Sequence, residues 1–148
     1  MRIVDAREAP GQALAIRLEM LLEIGKLPKE HTFSDDFVRQ TAAYLENGDQ
    51  TTLLAMDGEH AVGCATICYM AWLPSLRHPT GCRAHLMNVY TAPNYRRQGL
   101  ARRMVEGLMD DAKKRGVTEI RLDATAAGRP LYEALGFQAN DEGMTIVF

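Results

Sequence analysis

The segment 88–105 reads NVYTAPNYRRQGLARRMV. It places Arg96, Arg97, Arg102 and Arg103 around Gly99, where a β-like run gives way, through Pro93, to an amphipathic pattern. At a helix start the first backbone N–H groups have no intrahelical partner, and the macrodipole adds partial positive charge. Gly99 leaves room for close approach, Ala101 keeps the first turn small, and the guanidinium groups add mobile positive charge. That combination suits a diphosphate. A solvated helix start with ordinary surface arginines has the same sequence signature. Two nucleotide-binding patterns fail on spacing. The chain has no G-x-x-x-x-G-K-[ST] run, and G-x-G-x-x-G needs three glycines where Gly99 stands alone.

A second constellation, His78-x3-Cys82-x2-His85, has donor types that bind metals. On an extended strand Cys82 and His85 point to opposite faces. No second pair completes a four-ligand site, so no metal is expected. The three cysteines, Cys64, Cys68 and Cys82, lack the spacing of a disulfide framework and read as reduced thiols of a cytoplasmic protein. Cys64 and Cys68 share a strand face and read as small core residues.

The elements that position these groups belong to one domain, 1–148, a length able to bury its own core. A net charge of -2 argues against general nucleic-acid binding, so the arginines are a local feature. No apolar run approaches the ~20 residues of a membrane span. The start MRIVDAREAP is a short apolar run followed by charges, unlike a signal peptide.

RIVDA (2–6) reads as a strand ended by Pro10-Gly11, and Leu14, Leu18, Leu21 and Leu22 recur at helical spacing over 12–24. A second helix follows, capped by Thr32 or Ser34, with Phe37, Val38, Thr41 and Leu45 as its expected buried face. Strands at 51–56 and 60–70 flank the turn Asp57-Gly58-Glu59, and 82–91 is a third. Leu100, Met104, Val105, Leu108 and Ala112 mark one face of a long helix. Residues 117–124 read as a strand, 128–137 as a helix with Pro130 in its first turn and Gly136 after its end, and 137–140 with 144–148 as a terminal hairpin through Asp141-Glu142-Gly143. The order β-α-α-β-β-β-α-β-α-β-β predicts an α/β (mixed α+β) fold, a central twisted mixed sheet of about six to seven strands with flanking helices. Strands 82–91 and 117–124 should be parallel neighbours joined by a right-handed crossover.

Arg96-x-x-Gly99-x-Ala101, after a strand ending Val89-Tyr90-Thr91, resembles the R/Q-x-x-G-x-G/A motif of GNAT-type N-acetyltransferases. Leu131-Tyr132-Glu133-Ala134-Leu135-Gly136-Phe137 resembles that family's LYExxGF segment, at the matching distance downstream. The motif-bearing resemblance covers about 82–148, whereas the N-terminal half matches in element order alone. It implies acetyl-CoA as the acyl donor. The backbone amides of Arg96, Arg97, Gln98, Gly99, Leu100 and Ala101 would hold the pyrophosphate, and Val89, Tyr90 and Thr91 would line the pantetheine. A bulge around 87–89 would free an N–H for the thioester carbonyl. Tyr132 matches the general acid that protonates the leaving thiolate, although a half-buried helix tyrosine with a structural hydrogen bond would look alike. Many members carry an asparagine shortly before this tyrosine. Here 124–129 reads ATAAGR, and Thr125 or backbone would stand in.

The general base stays open among His85, Asn88, Asp123, Glu23 and water; of these side chains only histidine titrates near neutrality as a type. The acceptor would be an amine of a small molecule or peptide. Trp72, Leu73 and Arg77 in the 71–81 loop are candidate contacts, with Trp72 alternatively covering the sheet edge. The rival functions are a non-catalytic acyl-CoA-binding regulatory module on the same fold and a protein-interaction domain without a cofactor. A homodimer through the terminal hairpin is a further expectation.

Overall fold

The computed structural model describes residues 1–140 and 142–148. Strand β1 (Arg2–Asp5) runs through a 3-10 turn into α1 (Pro10–Ile24), and α2 (Asp35–Asn47) follows. Strands β2 (Gln50–Asp57), β3 (His60–Ala71) and β4 (Cys82–Thr91) form a meander, then come α3 (Leu100–Lys114), β5 (Glu119–Arg121) and α4 (Arg129–Ala134). The sheet order is β1-β2-β3-β4-β5, antiparallel throughout except for the parallel β4–β5 pair that α3 connects. No helix among the described residues is long and apolar enough to cross a membrane.

Helix α3 forms where its 3.6-residue periodicity predicts. Met104, Val105 and Leu108 are fully buried on one sheet face against Ala65, Ile67 and Leu86. Burying each of these large apolar side chains contributes about 1.5–3 kcal/mol. Tyr132, Leu135 and Phe137 pack against the same cluster, so α4 shares this face. The opposite face is closed by α1, whose Ala13, Ile16 and Met20 meet Leu54, Met56, Cys64 and Tyr90.

Three expectations are corrected. Pro10 does not merely end β1; it occupies the first turn of α1, where its missing N–H costs nothing. Helix α2 is capped by the Ser34 hydroxyl, which accepts from the Phe37 N–H, but none of its residues is buried. Its apolar face is half-buried at Val38, Thr41 and Leu45, with Leu45 packed on the α1 cluster, and Phe37 stacks on Phe33 at 5.6 Å. Among the described residues the sheet has five strands, not six or seven. Residues 137–140 and 144–148 adopt no strand, and Met144, Ile146, Val147 and Phe148 are exposed; Asp141, in the expected turn, lies outside the described residues. Ile146-Val147-Phe148 is a continuous apolar run without the alternation that assigns one face to a core, so it specifies register weakly. The expected dimer contact through that hairpin loses its structural basis.

Candidate active site

The site begins with an extra residue in β4. On β3, Cys64 to Thr66 spans two steps; opposite it, Tyr90 to Met87 spans three. The surplus is a bulge at 88–89, inside the 87–89 region expected. Asn88 takes the left-handed conformation, φ +59°, which asparagine tolerates better than most residues. Its buried side chain is held at both ends: Oδ1 accepts from Arg17 Nη1 at 3.2 Å, and Nδ2 donates to Thr66 Oγ1 at 3.0 Å. The Cys64 thiol donates to its carbonyl at 3.2 Å. Burial pushes that thiol up to about 12, so it stays protonated and able to donate. Arg17 was not among the sequence candidates, because a lone arginine on an amphipathic helix gives no hint of a strand partner 71 residues away.

The bulge bends β4 away from β5. Parallel pairing covers Arg83–Glu119, Ala84–Ile120 and His85–Arg121, then stops. From Leu86 to Thr91 the β5-facing edge of β4 pairs with no strand among the described residues. For the same reason β5 is three residues long instead of the expected eight. The outcome is a gap between parallel strands with unpaired backbone along one wall.

The gap leads to the arginine-rich turn. Arg97 (φ +62°) and Gly99 (φ +77°) are both left-handed, and α3 begins at Leu100. Such turns orient successive N–H groups toward one point. The N–H groups of 97–101 donate to no protein acceptor among the described residues. A Cβ built on Gly99 would meet nothing within 4 Å, so this side of the turn is open.

The side chains of Arg96, Arg102 and Arg103 have other partners. Arg96 donates from Nε to the Thr91 carbonyl at 2.8 Å and from Nη2 to Glu23 at 2.5 Å, tying the turn to α1. Arg102 bridges to Glu106 at 2.9 Å, and Arg103 reaches the Met1 carbonyl at 3.3 Å. Tyr90 points away from the gap into the α1 cluster, beside Glu19 and under Arg96; burial, then the two acidic neighbours, push its phenol up to about 12. Only its backbone is available to the gap.

Beyond the gap, a cleft of about 1100 Å³ is lined by both His85 and Tyr132. The Tyr132 ring packs edge-to-face on Phe137 at 5.9 Å, and burial raises its phenol above the usual tyrosine value. A buried phenol of that kind remains a proton donor across the physiological range. His85 Nε2 lies 3.9 Å from Asp123 Oδ2. Thr125 Oγ1 accepts from the Gly128 N–H at 3.1 Å, which closes the turn before α4. The 71–81 loop places Trp72 over Arg83 at 4.5 Å, at the cleft margin, while Leu73 is largely exposed. Glu23, a candidate base, is occupied by Arg96.

The geometry fits coenzyme A in two independent ways. An open, uncommitted set of amides at a helix N-terminus can receive a diphosphate, and an unpaired strand edge can receive an extended amide-bearing arm. A mixed sheet split at a bulge, with amides at the end of the split, defines an acyltransferase type of architecture.

Comparison with known proteins agrees. The family model for the acetyltransferase (GNAT) family matches residues 18–137, and the chain belongs to that family. The [ribosomal protein bS18]-alanine N-acetyltransferase of Escherichia coli K12 is 46% identical over 57 residues, 36% of this chain and 38% of that enzyme. Glucosamine 6-phosphate N-acetyltransferase of Trypanosoma brucei brucei is 31% identical over 62 residues, 42% of each chain. The matched region thus spans well under half the length of these curated relatives. A predicted acetyltransferase from Clostridium acetobutylicum, solved with acetyl-CoA, superposes with TM-score 0.81 at 27% identity, covering 99% of this chain and 94% of the other. A chain described as an acetyltransferase from Agrobacterium tumefaciens shares the fold, with TM-score 0.78 at 24% identity over the full length of both.

Proposed function

We propose that this protein transfers an acetyl group from acetyl-CoA to a primary amine of a small molecule or peptide by direct attack, with Tyr132 as general acid. The observation that carries the reading is the pair of features on one strand and turn: the unpaired edge of β4 beyond His85 and the uncommitted amides at 97–101 that follow it. Acetyl-CoA supplies an activated acyl carbon on a thiol leaving group. The amides of 97–101 hold its diphosphate, the Arg96 N–H expected among them donating instead to the Pro93 carbonyl at 3.4 Å, and Val89, Tyr90 and Thr91 pair with its amide arm through backbone. An N–H released from the ladder at 88–89 polarises the acyl carbonyl. Tyr132 donates its phenolic proton to the departing sulfur and regains one from the amine nitrogen that has formed the new C–N bond. Thr125, expected to stand in for the family's asparagine at the cofactor, closes the turn before α4 by accepting the Gly128 N–H.

Both curated relatives are named for acetylating amines, one an alanine of a ribosomal protein and one an amino sugar phosphate. This supports a primary amine as acceptor and leaves its carrier to experiment. The test pairs calorimetric titration with acetyl-CoA and a thiol-release assay over an amine panel. Binding with amine-dependent thiol release is expected. Binding without release across the panel would make the chain a non-catalytic acyl-CoA-binding module, and no binding would remove the cofactor assignment.

A further inference from the structure

We infer that Arg17, Cys64 and Thr66 are positioning residues that clamp Asn88 and so aim the Val89 N–H at the acyl carbonyl of the bound thioester. This rests on the acetyl-transfer reading above and names the side chains that set the geometry of its polarising group. Asn88 is buried, left-handed at φ +59°, and held at three atoms. Its carbonyl accepts from the Cys64 thiol at 3.2 Å, its Oδ1 accepts from Arg17 at 3.2 Å, and its Nδ2 donates to Thr66 Oγ1 at 3.0 Å. The 88–89 peptide is trans, so its C=O and N–H point in opposite directions. A carbonyl fixed on Cys64, within the α1-side cluster, therefore turns the Val89 N–H away from that cluster. The ladder gives a consistent direction. Ala92 donates to the Val62 carbonyl at 2.8 Å, and Tyr90, two residues earlier, lies opposite Cys64. Backbone groups alternate along a strand, so Val89 turns its N–H to the β5 side, where β4 has no strand partner among the described residues.

The clamp is part of one directional chain. Thr52 donates its single hydroxyl proton to Gln50 Oε1 at 2.6 Å, so Thr66 is the donor in the 2.7 Å Thr66–Thr52 contact. Gln50 Nε2 then donates to the Leu45 carbonyl at 2.8 Å. Every donor from Arg17 to Gln50 points the same way, from α1 across β4, β3 and β2 to α2. Bonds arranged in this way polarise one another. The direction also fixes the Asn88 amide. A flipped amide would face donor to donor at Arg17 and acceptor to acceptor at Thr66. Cys64, Thr66 and Thr52 are buried, so removing one partner leaves another polar group without its bond. Burial also keeps the Cys64 thiol protonated, the state that donates. The consequence for the reaction is preorganisation. A bulge amide free to swing would reorient as charge develops on the acyl oxygen, whereas a clamped one is already aimed.

The test reads the acyl carbonyl directly. Isotope-edited infrared difference spectra of acetyl-CoA carrying ¹³C at the carbonyl, bound to the full chain, should show the stretch at lower frequency than in water. Cys64→Ala and Thr66→Val should each return much of that shift. Each should lower kcat about tenfold with the acetyl-CoA KM held within about twofold, the pattern of an interaction realised mainly in the transition state. Cys64→Ser and Thr66→Ser keep a hydroxyl where the bond is made and should restore both frequency and kcat. Arg17→Met keeps the aliphatic stem and should behave like Thr66→Val. Calorimetric affinity for CoA without its acetyl group should be unaltered in every variant, which separates aim from misfolding. Cys64→Ala and Thr66→Val variants with wild-type carbonyl frequency and kcat overturn the clamp while acetyl transfer stands. A loss of kcat that the serine variants do not restore, or that comes with a matching loss of CoA affinity, makes the chain a packing element only and also overturns the clamp. A wild-type chain that releases no thiol with any amine of the panel overturns the transfer reading and the clamp with it.

Discussion

Tyr132 and Gly99 carry separable parts of the proposed reaction. Tyr132 is raised above the ordinary tyrosine pKa of about 10 by burial, so its acid form persists to high pH. Tyr132→Phe should lower kcat about 10²-fold and leave the acetyl-CoA dissociation constant unchanged, read by thiol release and calorimetry. A variant with full turnover would remove the phenol from the mechanism. Gly99 contributes its backbone conformation. A β-branched residue at φ +77° costs about 1–2 kcal/mol and fills the open side of the turn. Arg103, in contrast, already spends its guanidinium on the Met1 carbonyl. Gly99→Val should therefore raise the acetyl-CoA KM by more than Arg103→Ala does. The reverse order would transfer the grip from the amides to the side chains.

At the scale of elements, the bulge and the helix behind it set the geometry. Helix α3 is fixed to the meander by its apolar face and by one polar clasp. Asp111 accepts from Tyr69 and, at 2.8 Å, from Thr51, with Arg115 Nε 3.2 Å away. Burial alone would raise the Asp111 carboxyl, yet these donors leave it below the usual aspartate value. A depressed folded-state pKa gives stability that is full above the unfolded value of about 3.9 and is lost as pH falls through the folded value. Asp111→Asn should cost about 1–3 kcal/mol at pH 7, and the difference from wild type should shrink below about pH 4 in denaturant melts. A constant difference across that range would exclude the clasp. Helix α3, strands β2 to β4 and the βαβ unit are legible in the sequence because period and turn chemistry agree in each. The 87–89 bulge was legible only through the family resemblance. Its own cause, the Arg17–Asn88–Thr66 chain, joins three separate elements and leaves no local pattern. Helix α2 misleads in the opposite direction: its apolar spacing is helical, but that face is only half-buried and Phe37 stays exposed.

For the whole molecule, the cleft is the place where the sheet is incomplete. The described residues form five strands with β1 and β5 at the edges, and β5 is left short because β4 turns away from it. The strands expected at 137–140 and at MTIVF (144–148) do not form among the described residues, since an unalternating apolar run does not by itself choose a face. The arginine cluster of the opening segment changes meaning at this scale. The Arg96 side chain ties the turn to α1, Arg102 pairs with Glu106 within α3, Arg103 reaches the Met1 carbonyl, and the backbone amides of 97–101 stay uncommitted. Acetyl-CoA would thus complete the sheet as well as supply the acyl group. The most direct test is an amide ¹H–¹⁵N titration of the full chain with acetyl-CoA. The account predicts the largest shifts at the amides of 97–101 and 88–91, downfield for the 97–101 set as they gain charged acceptors. Shifts confined to arginine side-chain resonances or to other faces of the sheet, with the 97–101 amides unmoved, would contradict it.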